Sequence, residues 1–171
     1  MTRTIAAAVV LALLAALAGC IQRTVYISTQ GNPAYAPLKQ DPILVALARD
    51  ATDDDRRFME FLKSQMQQAG FVLADNALDA KYLLMFETGT RTRSTGVSAS
   101  APTAGGYTVR SIKLELYAME DVLRRNHITA WEGYAGAGES DYLRFSGEIL
   151  RALLDAYGTS QQSYTPIDAA K

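Results

Sequence analysis

Tyr82-Leu83-Leu84-Met85-Phe86-Glu87-Thr88 is the strongest strand-forming stretch in this chain of 171 residues, and its partner lies across a low-complexity gap. From Tyr107 to Ala118 the sequence alternates, with Ile112, Leu114, Leu116 and Ala118 on one side and Ser111, Lys113, Glu115 and Tyr117 on the other. Between the two, Ser94 to Gly106 is rich in Ser, Thr, Ala and Gly; it can bury little and is expected to be a loop. Centring that loop on Ser100 pairs residues whose numbers sum to 200. Leu84 then faces Leu116 and Phe86 faces Leu114 on the buried side, while Glu87 meets Lys113 on the other as an opposite-charge pair. A slip of one residue would ruin both matches.

Working outward, Ile43 to Ala48 is a short apolar run expected as a buried strand. Thr52-Asp53-Asp54-Asp55 follows, then Phe58, Phe61, Leu62, Met66 and Ala69 at helical spacing, with Gly70 placed to end the helix. Thr52 or Asp53 is expected to cap that helix, with the remaining carboxylates meeting its positive end. A metal is not expected there, because calcium loops alternate their ligands around a glycine. Phe71-Val72-Leu73 begins a short strand and Asp75-Asn76 turns it. Beyond the central pair, Glu120 to Asn126 reads as a turn and Ile128 to Ala135 as a strand. Trp131, Gly133 and Ala135 share one face of that strand, a large-small-small pattern that lets a helix lie close. Gly136 to Ser140 is expected to be an exit loop with Ser140 as N-cap. Tyr142, Phe145, Ile149, Leu153 and Tyr157 then recur at helical spacing up to Gly158.

The amino terminus has a different character. Arg3 precedes thirteen residues without a polar side chain, Ile5 to Leu17. A helix needs roughly 20 apolar residues to span a bilayer, so the run reads as an export signal covering residues 1–19. Ile21 to Pro42 is polar and punctuated by Pro33, Pro37 and Pro42, so residues 20–42 are expected to form a tether. Within it, Thr24 to Ser28 has the β-branched content of an edge strand, and the sequence leaves open whether it joins a sheet. The folded unit is expected over residues 43–158, with 159–171 as a flexible tail.

Leu17-Ala18-Gly19-Cys20 resembles the lipobox of bacterial lipoproteins. That resemblance implies recognition of Leu17, Ala18 and Gly19 by a signal peptidase and diacylglycerol transfer to the Cys20 thiol. It further implies cleavage before Cys20 and acylation of the new amine. Ile21, in place of the Asp that retains such proteins at the inner membrane in enterobacteria, points to the outer membrane, facing the periplasm. The layout from Ile43 to Tyr157 resembles small bacterial envelope lipoproteins carrying a domain of unknown function. More distantly it is similar to the amino-terminal domain of TolB and to CsgG-like lipoproteins. The landmarks are Gly70-Phe71, Ala77 to Leu84, Lys113 to Tyr117, and Ala130 to Gly133. The resemblance implies an α+β two-layer sandwich, a mainly antiparallel sheet with two helices packed on one face.

Little else in the chain points to chemistry. Cleaved before Cys20, the chain keeps 152 residues, with 16 basic against 18 acidic side chains, so no basic excess favours nucleic acid. Cys20 is the lone cysteine, and once lipidated it leaves no thiol for a disulfide, a metal or catalysis. His127 is the lone histidine and has no glycine-flanked serine to serve; it reads as a solvated turn residue. Gly133, Gly136 and Gly138 lack the spacing and lysine of a phosphate loop. Glu132 and Glu139 would be the acids of an envelope hydrolase acting on lipid, peptide or glycan, the alternative to a binding role. Arg91, Arg93 and Arg110 are expected to gather at the loop end of the central pair as an anionic-ligand patch. The expected function is a lipid-anchored, non-catalytic binding or scaffolding domain. Its partners would be the membrane and an envelope protein or glycan, with no catalytic residue, metal or cofactor.

Overall fold

The computed structural model describes residues 24–48, 50–94 and 106–166, with side chains at 92–94, 106 and 107 left aside. The leader, the lipobox with Cys20, the start of the tether, the loop between the central strands and the last five residues lie outside the described set. Six strands form one sheet: β1 (Thr24–Gly31), β2 (Ile43–Ala46), β3 (Tyr82–Ser94), β4 (Gly106–Ala118), β5 (Thr129–Gly138) and β6 (Gln161–Pro166). Three helices accompany them: α1 (Asp53–Gln68), the short α2 (Met119–Leu123) and α3 (Glu139–Asp155). The spatial order is β2-β3-β4-β5-β1-β6. All neighbours are antiparallel except β2 and β3, whose parallel pairing is bridged by α1. The chain is therefore an α+β sandwich.

The central pair adopts the expected register. Leu84 sits opposite Leu116, Phe86 opposite Leu114 and Glu87 opposite Lys113. Leu84, Leu114 and Leu116 are fully buried, and Phe86 packs on Phe58 of α1 with ring centroids 5.1 Å apart. The helix-facing side of the sheet adds Val25, Ile27, Val45, Ile112, Trp131 and Ala135 to the core. Leu62 and Met66 of α1 and Phe145, Ile149, Leu150, Leu153 and Leu154 of α3 close over it. The backbone at Phe145 leaves helical geometry, so α3 is kinked there.

The helix boundaries follow from capping. The Thr52 hydroxyl accepts from the Asp55 N–H at 3.2 Å, and the Asp55 carboxylate accepts from the Thr52 N–H at 2.8 Å. These reciprocal bonds hold the Asp55 carboxyl below the usual carboxylate range, the Thr52 side chain contributing most. Asp53 and Asp54 pair with Arg56 and Arg57 on the exposed face. At the other end Gly70 takes φ +85°, and the Phe71 and Gly70 amides bond back to Met66 and Gln67. Glycine carries no Cβ penalty in that left-handed conformation.

Several boundaries differ from expectation. The stretch read as tether contains β1, an interior strand held between β5 and β6. The expected tail contributes β6. The sheet thus recruits residues from both sides of the expected 43–158 unit. Strand β5 runs on through Gly136 to Gly138 without an exit loop, so α3 starts at Glu139 with Gly138, not Ser140, at the cap. The expected turn after β4 forms α2, and Phe71 to Leu73 makes a single bridge, Ile43 with Leu73.

The close approach foreseen at Gly133 is real. A methyl group there would collide with the Trp131 ring and come within 3.0 Å of a Leu153 methyl. Trp131 lies folded across the glycine, buried, with its indole N–H donating to the Thr159 carbonyl at 3.3 Å. Gly133→Ala should therefore overpack the β5–α3 contact and cost about 1–3 kcal/mol. Urea unfolding followed by the fluorescence of Trp131, the sole tryptophan, measures this directly; an unchanged midpoint would contradict the packing.

Candidate functional site

The helices cover one face of the sheet, and the opposite face is open. A shallow depression of about 810 Å³ lies there, lined among others by Tyr26, Glu87, Gly89, Arg91, Ser111, Tyr134, Gly136 and Tyr164. Three strands supply its aromatic wall. Tyr26 of β1 stands opposite Gly136 of β5 and Tyr164 of β6. Tyr26 and Tyr164 have ring centroids 5.3 Å apart, and Tyr26 and Tyr134 6.2 Å, tilted at 56° and 60°. Such tilted pairs suit the ring quadrupoles.

Gly136 lets the Tyr134 ring lie down. A Cβ at Gly136 would meet the Tyr134 hydroxyl at 3.0 Å and a ring carbon at 3.2 Å. The ring therefore rests on bare backbone with its other side outward. Gly89, with the Ser111 hydroxyl 3.0 Å from where its Cβ would be, keeps the floor low on the β3 side. Tyrosines on a glycine floor, with Glu87, Arg91 and Ser111 around them, offer flat apolar faces beside hydrogen-bonding groups. That arrangement can bind a ligand.

Next to the depression is a compact charge network. Glu115 and Glu132 lie directly opposite each other in the β4–β5 register. Lys113 separates them, donating to Glu115 at 2.8 Å and approaching Glu132 at 3.5 Å. The hydrogen bond to Glu115 holds the Lys113 ammonium above its usual pKa.

The residues singled out in the sequence are dispersed. Arg110 pairs with Thr90 in the ladder, one position away from Arg91, so the strand alternation sends the two guanidinium groups to opposite faces. Arg110 is held by Glu139 at 3.0 Å, joining β4 to the start of α3. The expected three-arginine patch therefore does not assemble, and Arg91 is the member that reaches the depression. For Arg93 only the strand position is described, two residues beyond Arg91. Glu132 lies on the open face with Lys113, whereas Glu139 lies at the start of α3 with Arg110, so each acid has its own cation. His127 is exposed in the turn before β5. Cys20 and its lipobox lie outside the described residues.

Tyr26, Tyr134, Tyr164 and Gly136 were not legible as a site. In the sequence their strands look like tether, strand end and tail, which hides the fact that three tyrosines share one face. At the far end of the sheet the buried Asp121 carboxylate accepts from the Tyr35 hydroxyl, a bond that raises the Tyr35 pKa. Beside it, a smaller depression is lined by Leu78 and Leu123, both exposed.

No family model matches the chain, and no curated protein matches it. Among solved structures it is similar to the PelC dodecamer from Paraburkholderia phytofirmans, at 14% identity over 79% of this chain and 99% of that one, with a TM-score of 0.49. It is also similar to a PDZ domain protein from Parabacteroides distasonis, at 10% identity over 85% of this chain and 39% of that one, TM-score 0.49. A minor lipoprotein from Acinetobacter baumannii is similar at 16% identity over 71% of this chain and 88% of that one, TM-score 0.38. Among the described residues, no helix is long and apolar enough to cross a membrane.

The Lys113 network makes a pH-dependent prediction. The raised Lys113 pKa gives a stabilising term that is complete below its unfolded value, about 10.4, and is lost as pH rises through the folded value. Lys113→Met leaves Glu115 and Glu132 opposed and should cost about 1 kcal/mol or less at neutral pH, since all three side chains are partly solvated. The cost should shrink as pH rises through the raised Lys113 value and the ammonium is lost. Urea unfolding of both proteins at neutral and alkaline pH checks this, and an equal cost at both would contradict the network.

Proposed function

We propose that this chain is a lipid-anchored protein of the bacterial cell envelope whose domain binds another envelope component without catalysing a reaction. The observation that carries the reading is Leu17-Ala18-Gly19-Cys20 closing a thirteen-residue apolar leader with a basic start. Thiolate sulfur is the best side-chain nucleophile for alkylation, and several acyl chains make release from a bilayer negligible. Ile21 after the cysteine supports an outer-membrane position on the periplasmic side.

The binding role rests on the open face. Its tyrosine-walled depression of about 810 Å³ sets flat aromatic faces beside Glu87, Arg91 and Ser111. The groups a hydrolase would combine are far apart in role: Glu132 is tied to Lys113, Glu139 to Arg110, and His127 stands in a solvated turn.

Cys20→Ser tests the anchor. In cells fed labelled palmitate the wild-type chain should carry label and sediment with membranes through a high-salt wash. The variant should lose the label and leave the membrane fraction while keeping its fold, because the first strand begins at Thr24. A variant that stays membrane-bound after the wash would overturn the reading.

A further inference from the structure

The distance between the anchor and the sheet is short enough to orient the domain. Only Ile21, Gln22 and Arg23 separate Cys20 from Thr24, the first residue of β1. Four Cα–Cα steps reach at most about 14 Å. The expected tether is thus a three-residue link into an interior strand, because β1 is hydrogen-bonded on both sides.

The registers show which part of the molecule lies at that end. Thr24 faces Pro166 of β6 and, two residues before the Tyr26–Gly136 pair, is level with Gly138 of β5. Gly138 faces Val109 of β4, which faces Arg91 of β3. The β3–β4 ladder continues for three more pairs, Thr92–Thr108, Arg93–Tyr107 and Ser94–Gly106. At roughly 3.3 Å per residue, those pairs project about 10 Å past the Thr24 row. That projection takes up most of the link's reach, so a domain standing on this end holds the Arg91 row about 10 Å from the surface carrying the lipid.

The side chains at that end suit an anionic interface. Arg91 is exposed and makes no ion pair among the described residues, whereas Arg110 across the ladder is neutralised by Glu139. Tyr164, 73% exposed, pairs with Tyr26 and so stands two rows inward of Thr24, on the side of the depression. A guanidinium at the outer row is attracted by lipid phosphates.

We infer that the sheet end carrying Thr24 and Arg91 docks on the bilayer that holds Cys20, with Arg91 within a Debye length, roughly 8–10 Å, of the anionic headgroups. The inference rests on the lipid anchor proposed above. Docked in this way, the domain holds the tyrosine depression beside the membrane surface and directs Leu78 and Leu123 away from it.

Depth-dependent fluorescence quenching of the lipidated full chain in vesicles tests this. With Cys20 blocked as a thioether, an engineered cysteine is the one free thiol. A fluorophore is placed at Thr90→Cys, beside Arg91, or at Leu78→Cys, which is 97% exposed at the far end. With headgroup-borne quenchers in phosphatidylglycerol–phosphatidylcholine vesicles, quenching at position 90 should exceed that at 78 by about threefold or more. Arg91→Glu, or high salt on the unaltered arginine, should reduce the difference in anionic vesicles and leave pure phosphatidylcholine vesicles unaffected. Equal quenching at the two positions would overturn the docking, and so would an Arg91→Glu protein quenched like its parent in anionic vesicles. Failure of the unaltered chain to float with vesicles would instead overturn the anchor, and the docking with it.

Discussion

The two backbone ladders on either side of β1 govern how this molecule is built and how it meets its surroundings. Between β5 and β6, Thr24–Gly31 sends Val25 and Ile27 into the core and Tyr26 onto the open face. The same strand therefore helps seal the hydrophobic layer under α3 and supplies the middle ring of the aromatic wall. Without β1, β6 would have no neighbour and Tyr164 no partner, since β6 pairs with nothing else in the sheet. Position 29 shows how the join is finished: the Thr29 hydroxyl, buried, accepts from the Gln161 N–H at 3.2 Å. A buried hydroxyl is tolerated when it is bonded in this way.

The middle of the sheet was legible because its side chains report burial. Leu84, Phe86, Leu114 and Leu116 recur at alternate positions and set the register, in which Glu87 stands opposite Lys113 although the ammonium turns to Glu115 and Glu132. The capping of α1 by Thr52 and the left-handed turn at Gly70 were legible for a similar reason, since both depend on residue types with one strong local preference. The edges were less legible. Strand β6 reads Gln-Gln-Ser-Tyr-Thr-Pro and has no buried residue, so it is held by main-chain bonds that leave no mark in composition. Strand β1 does alternate, but the polar stretch with Pro33, Pro37 and Pro42 that follows it resembles a linker.

The site was less legible than the fold for a topological reason. Tyr26, Tyr134 and Tyr164 come from three strands that are distant in sequence and adjacent only through the order β5-β1-β6. Gly136 reads as a loop glycine until β5 is seen to run through it, and then its role is to let Tyr134 lie flat. The arginines illustrate the converse. Arg91, Arg93 and Arg110 cluster when placed at one end of a hairpin, but the antiparallel ladder assigns Arg110 and Arg91 to opposite faces. Proximity along the chain suggests one patch, whereas strand parity sends Arg110 to Glu139 and Arg91 to the open face.

The proposed anchor and the fold meet in one short piece of chain. With β1 an interior strand, a lipid on Cys20, as proposed, would be coupled to the sheet by three residues; with β1 a tether, the domain would swing free. Hydrogen–deuterium exchange over Thr24–Gly31 separates the two most directly. Amides of Val25 to Thr29 should be protected to a degree close to those of β5, because both strands lie inside the same ladder network. Complete exchange of this segment within seconds, while β4 and β5 stay protected, would contradict the account.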